Sequence, residues 1–219
     1  MIIRAAFFDL DGTLVDSLQD LTDAVNHIRG AFSLAPLSEG EVRLKVGKGA
    51  RNLIEQVLPG HAAPDISRAL DLFLEYNGQH IADKSRLYPG IPETLHELAA
   101  RDIRMVVISN KHEELSRLIL RELGIHDRFE NICGGNTYPE CKPSPLPLLK
   151  EAEKLGYAPF ECVMVGDSIN DIEAGKRANI TAIACTWGYG NRDELAGADC
   201  FVHTPLELQA AIAACGVPR

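Results

Sequence analysis

Two short acidic turns mark the places where this sequence could do chemistry. Asp9-Leu10-Asp11-Gly12-Thr13 sets two carboxylates two residues apart, straight after the apolar run Ile3 to Phe8. Gly166-Asp167-Ser168-Ile169-Asn170-Asp171 brings two more after Cys162 to Val165. Between them lie Ser109-Asn110, closing the run that begins at Met105, and Lys142-Pro143. Phosphate monoester hydrolysis is extremely slow uncatalysed. It needs a nucleophile, a proton donor for the leaving oxygen and positive charge around the phosphoryl oxygens. The four stations offer a candidate for each. A D-x-D pair alone would carry little weight, because two acids around a turn are commonly solvated or capping residues.

The elements that must position these residues follow from the apolar pattern. Ile3 to Phe8 is continuous apart from Arg4, as expected of a strand covered on both faces of a parallel sheet. From Tyr88-Pro89-Gly90 onward helix and strand patterns alternate: helix Ile91 to Arg101, strand Met105 to Ser109, helix Glu113 to Leu123, strand Ile132 to Gly134, helix Pro145 to Leu155, strand Cys162 to Val165, helix Asn170 to Ala178 and strand Thr181 to Cys185. That alternation predicts a doubly wound α/β sheet, whose ligands gather beyond the carboxyl ends of the strands. Residues 16 to 86 break the rhythm. Ser17 is placed to cap a helix, with Asp20 as capping-box partner, and Leu18, Leu21, Val25 and Ile28 recur at helical spacing. Helical patches follow at Val42 to Val46, Ala50 to Leu58 and Ile66 to Tyr76. The expected organisation is therefore a core of residues 1–15 and 87–219 with a helical cap, 16–86, inserted after the first strand.

Composition excludes several classes. Hydrophobic residues at 46% and charged residues at 24% suit an ordinary globular chain of 219 residues, and the net charge of −9 disfavours a broad nucleic-acid or anionic-membrane surface. No apolar run reaches the roughly 20 residues of a bilayer span, and Asp9 interrupts the opening before a signal-peptide core could form. A cytoplasmic protein, monomer or homodimer, is expected. Six cysteines are scattered without a C-x-x-C pair, and no H-E-x-x-H occurs, so a Cys or His metal site is not expected.

Phe8-Asp9-Leu10-Asp11-Gly12-Thr13-Leu14, Val107-Ile108-Ser109-Asn110, Lys142-Pro143 and Val165-Gly166-Asp167-Ser168-Ile169-Asn170-Asp171 together resemble the four ordered motifs of the haloacid dehalogenase superfamily. The resemblance spans the core, and the helical insert falls where the family's phosphatases carry a cap. It implies that Asp9 is the nucleophile, passing through an aspartyl phosphate, and that Asp11 protonates the leaving group and then activates water. Dehalogenating members lack the second acid, so dehalogenation is disfavoured. Ser109 and the Asn110 backbone should hold the phosphoryl group, with Gly12 and Thr13 beside it, and Lys142 should balance charge. A magnesium ion is implied at Asp9, the Asp11 carbonyl and Asp167, with Asp171 holding a metal water or orienting Lys142.

Within the insert, Val46-Gly47-Lys48-Gly49-Ala50-Arg51 is a Gly-flanked cationic turn leading into a helix, without Walker spacing. It resembles the segment that phosphoglycolate phosphatases place over the active site, which makes Lys48 and Arg51 candidate substrate contacts. Trp187-Gly188-Tyr189-Gly190 resembles the loop those relatives carry after the strand that follows the fourth motif. The expected substrate is a small phosphorylated metabolite, 2-phosphoglycolate first. β-Phosphoglucomutase-like phosphoryl transfer is the alternative. Receiver-like signalling modules also carry phosphate on an aspartate, but they are about half this length and need neither cap nor second acid.

Overall fold

The computed structural model describes residues 2–215; Met1 and residues 216–219 of the expected core range lie outside the described residues. The first strand, β1 (Ala5–Phe8), is followed by β2 (Val15–Asp16), then α1 (Leu18–Ala31), α2 (Glu39–Arg43), α3 (Ala50–Val57), α4 (Ala63–Gln79) and β3 (Arg86–Leu87). The alternating part comprises α5 (Ile91–Ala99), β4 (Arg104–Ile108), α6 (Glu113–Glu122), β5 (Asn131–Cys133), α7 (Leu146–Leu155), β6 (Cys162–Gly166), α8 (Ile169–Ala178), β7 (Thr181–Cys185), β8 (Cys200–Val202) and α9 (Leu208–Cys215).

Six strands form one parallel sheet in the order β5-β4-β1-β6-β7-β8. Its central strands are buried on both faces, and the two-residue period of the strand divides them between two cores. Ala6, Phe8, Val107 and Val165 join Leu95 and Leu98 of α5 and Ile119 of α6 on one face. Ala5, Phe7, Val106 and Met164 meet Leu148 of α7 and Ala174 of α8 on the other. The sheet reverses its order at β1. Phe8 pairs with Val107 on one side and Val165 on the other, so the carboxyl ends of β4, β1 and β6 open side by side.

Helices α1 to α4 carry a separate core. Leu21, Val25 and Ile28 from α1 pack with Val42, Ile54, Val57 and Phe73 from the other three helices. Burying each such side chain contributes about 1.5–3 kcal/mol. The chain leaves for these helices and returns through a two-stranded antiparallel ribbon in which Val15 pairs with Leu87 and Asp16 with Arg86.

The expected elements recur with ends shifted by a few residues, and three features differ. The first strand begins at Ala5 rather than Ile3, although Arg4 still bonds the Glu161 carbonyl through its N–H (2.8 Å). β8 and α9 extend the fold beyond Cys185, where the sequence pattern predicts a loop at Trp187 to Gly190 but no further strand or helix. The capping box at the start of α1 does not form. Ser17 makes no side-chain cap bond, and its hydroxyl donates to Asp11 (2.5 Å). The buried Asp20 accepts from Lys84 N (3.1 Å), Ser85 N (2.8 Å) and Ser85 Oγ (2.6 Å). Distant partners at the ribbon thus outcompete the local cap.

Candidate active site

The strand ends deliver the four motifs to one place. Asp9 follows β1, its N–H bonding the Val165 carbonyl at 2.9 Å, and Ser109 follows β4, its N–H bonding the Cys133 carbonyl at 2.9 Å. Asp167 follows β6. Gly12 makes the turn after β1 possible: its φ is +93°, and a Cβ there would lie 2.3 Å from Asp167 Oδ2. Thr13 donates its hydroxyl to Asp167 Oδ1 (2.7 Å), while the Tyr189 N–H donates to Oδ2 (2.7 Å). Both Gly12 and Thr13 therefore shape the seat of Asp167.

Lys142 lies between two acids, donating to Asp9 Oδ1 at 2.8 Å and to Asp171 Oδ1 at 2.6 Å. The other Asp171 oxygen accepts from Ser168 N (3.0 Å) and Ser168 Oγ (2.7 Å) at the start of α8. Asp171 thus both closes a helix end and holds Lys142. Burial by itself would drive the Lys142 ammonium toward deprotonation, but Asp171 and Asp9 outweigh it and raise its pKa above the ordinary lysine value. Asp9 moves up to about 6, chiefly through burial, with Lys142 pulling down and Asp171 pushing up. Asp167 rises to about 7 through burial and then the charges of Asp9 and Asp171, despite the bonds from Thr13 and Tyr189.

One carboxylate oxygen from each of Asp9, Asp167 and Asp171 lies within 4.8 Å of the other two. Hard oxygen donors of this kind, buried and repelling one another, fit a small divalent cation, whose charge would relieve the repulsion that raises Asp9 and Asp167.

Beside Asp9 is a cavity of about 50 Å³, lined by Asp9, Asp11 and Ser109 from the core and by Gly47, Phe73 and Asn77 from the helical insert. That volume has room for a few waters at roughly 10–15 Å³ each. Asn110 bridges the two parts, its Nδ2 donating to the carbonyls of Gly47 (2.9 Å) and Lys142 (2.8 Å). Arg43 of α2 adds a second tie, donating to the carbonyls of Gly188 (2.7 Å) and Tyr189 (3.0 Å). Lys48 and Arg51 are both exposed: Lys48 lines a wider cleft of about 450 Å³ that also takes in Asp9, Asp11 and Asp167, whereas Arg51 lines an outer cleft with Asn136 and Cys141.

Three participants escaped the sequence reading. Lys111 donates to both Asp11 oxygens at 3.3 Å, yet in sequence it is one more lysine after Ser109-Asn110. Ser17 has the spacing of a helix cap, yet its hydroxyl donates to Asp11. Asn77 carried a usable signal, because it continues the buried stripe Ile66, Ala69 and Phe73 of α4 as a polar residue.

The family model of haloacid dehalogenase-like hydrolases matches residues 6–185, and the chain belongs to this family. Among its relatives, a phosphoglycolate phosphatase of Chromobacterium violaceum is 41% identical over 211 residues, covering 94% of this chain and 95% of its own length. One from Aquifex aeolicus is 38% identical over 187 residues, with 85% and 86% covered. The crystal structure of a predicted phosphoglycolate phosphatase from Haemophilus somnus superposes with a TM-score of 0.92 at 30% identity, over 95% of this chain and 97% of that one.

Proposed function

We propose that this chain is a magnesium-dependent phosphatase that hydrolyses 2-phosphoglycolate through an aspartyl phosphate on Asp9. The observation that carries the reading is the small cavity that brings Asp9 and Asp11 together beneath the insert. The names of the relatives agree with it. Asp9 supplies the attacking oxygen, with Lys142 drawing negative charge from the carboxylate it touches. Asp11 is placed to give the leaving oxygen a proton, which then departs as the alcohol of glycolate. The same carboxylate then takes a proton from the water that hydrolyses the acyl phosphate. Ser109 and the Asn110 backbone hold the phosphoryl oxygens. Asp9 and Asp167 would hold the cation with the Asp11 carbonyl, while Asp171 serves mainly to fix Lys142. When bound, the cation supplies positive charge to the phosphoryl oxygens.

We also propose that residues 16–86 work as a cap over a core of 1–15 and 87–219, pivoting on the β2–β3 ribbon. The relatives named as phosphoglycolate phosphatases favour hydrolysis over mutase chemistry. Among the described residues no helix is long and apolar enough to cross a membrane.

Phosphate release from 2-phosphoglycolate with magnesium, for wild type and Asp9→Asn, tests the reading. Asn is nearly isosteric with Asp but cannot attack, so turnover should vanish while thermal unfolding stays cooperative. Persistent turnover in Asp9→Asn would exclude the covalent route. Wild type that releases no phosphate from 2-phosphoglycolate, yet hydrolyses other esters, would exclude the substrate.

A further inference from the structure

We propose that Lys111 and Asn77 form the subsite for the leaving group, with the Lys111 ammonium taking the carboxylate of the substrate. The proposal rests on the phosphoglycolate reading above and names the residues that recognise its acid. Lysine is seldom fully buried unless paired, yet the Lys111 side chain is only 6% exposed. Among the described residues its one ion-pair partner is Asp11, at 3.3 Å from each oxygen, well beyond the roughly 2.7–2.9 Å of a good charge-assisted bond. Lys142 is different: short bonds to Asp9 and Asp171 commit its charge to carboxylates of the protein. An ammonium has three N–H donors, so Lys111 keeps capacity for a second anion.

Asn77 supplies the independent observation. It is 1% exposed, lines the same cavity from the helical insert, and its Oδ1 has no hydrogen-bond partner among the described residues. A buried polar atom left unpaired costs about 1–3 kcal/mol. Leu21, Leu53 and Phe73 line the same cavity, and apolar walls of this kind would favour an apolar side chain at residue 77 if packing alone decided. A polar ligand within the cavity accounts for the amide, which offers an acceptor or, turned over, two donors to a carboxylate. Phosphate held at Asp9 and Ser109 leaves the rest of the cavity to a short chain bearing one acid. Lys48 lines the wider cleft on the Asp167 side and Arg51 an outer one, while Lys111 is the lysine that lines this smaller cavity.

The test compares kcat/KM for 2-phosphoglycolate and for 2-hydroxyethyl phosphate, a similar ester without the acid. Wild type should prefer the acid. Lys111→Met should lose about 10- to 150-fold more on 2-phosphoglycolate than on the neutral ester, the range of a hydrogen bond to a charged group, because the contact with Asp11 is lost equally for both. Lys111→Arg should recover part of the preference. Asn77→Leu should raise the unfolding temperature while lowering kcat/KM for the acid about two- to tenfold. Equal losses on both esters in Lys111→Met would mean that Lys111 acts only on Asp11, overturning the subsite while leaving the substrate reading intact. Wild type without preference for the acid would remove the substrate reading and the subsite with it. If Lys111→Met does not fold, Lys111→Gln carries the same comparison.

Discussion

Replacing Asp167 by Asn should stabilise the protein when no metal is present, although it removes an acid from the heart of the site. The carboxyl is 2% exposed and its pKa is raised from 3.8 to about 7, so the fold holds it far from water among other negative charges. At about 1.36 kcal/mol per unit, that rise corresponds to about 4 kcal/mol of unfavourable interaction at neutral pH. Asn keeps the shape and both local bonds: its oxygen can accept from Tyr189 N, and its amide can donate to a Thr13 hydroxyl turned round to accept. Allowing about 1–2 kcal/mol for imperfect geometry leaves a gain of about 2–3 kcal/mol. For a chain of this size that is roughly 4–12 °C in unfolding temperature. The sign depends on pH. A carboxylate whose folded pKa is raised binds its proton more tightly when folded, so its native state loses stability as pH rises from about 4 to about 7. The gain from Asn should therefore appear at about pH 7.5 and vanish near pH 4. Thermal unfolding in chelator at the two pH values measures it. Saturating magnesium should reverse the order at pH 7.5, because only wild type keeps the full donor set. If Asp167→Asn is less stable than wild type at both pH values in chelator, the carboxylates do not repel one another as the geometry implies.

Arg43→Ala removes two bonds from α2 to the 188–189 carbonyls and should raise KM about three- to tenfold with little change in kcat; a fall in kcat at constant KM would assign Arg43 to the chemistry instead. Lys48→Ala and Arg51→Ala should lower kcat/KM only about two- to fivefold, through weaker steering of an anion, and high salt should erase the difference. A larger, salt-independent loss would bring these side chains into contact with the bound substrate.

Much of the fold was legible because it depends on period and order. The buried run ending in Phe8, the glycine of the first turn and the helix–strand alternation after Tyr88 are local signals, and each carries an acid or a Ser to a strand end. β8 was not legible: Cys200-Phe201-Val202 is three residues at a sheet edge, too short to set a pattern. The same limit applies to polar partners. Ser17 and Asp20 have the spacing of a capping box, but their partners lie at Asp11, Lys84 and Ser85, and only the folded chain brings these within reach. Asp171 was ambiguous in sequence between helix acid and site residue, and the structure uses one oxygen for each. Lys111 gained meaning only when β4 was set beside β1.

The β2–β3 ribbon has a consequence for the order in which the chain assembles. Strand β1 waits for β4, with Ala5 pairing to Arg104 about 100 residues on. Val15 and Leu87, about 70 residues apart, meet in the ribbon. If the four helices condense first around their own core, the ribbon ties off that length, and the search between β1 and β4 shrinks to a loop of about 30 residues. Loop-closure entropy grows as about (3/2)RT ln n, so the detour removes about 1 kcal/mol from the cost of that first pairing. In the nascent protein the insert is a splint, shortening the path by which the central strand finds its neighbour.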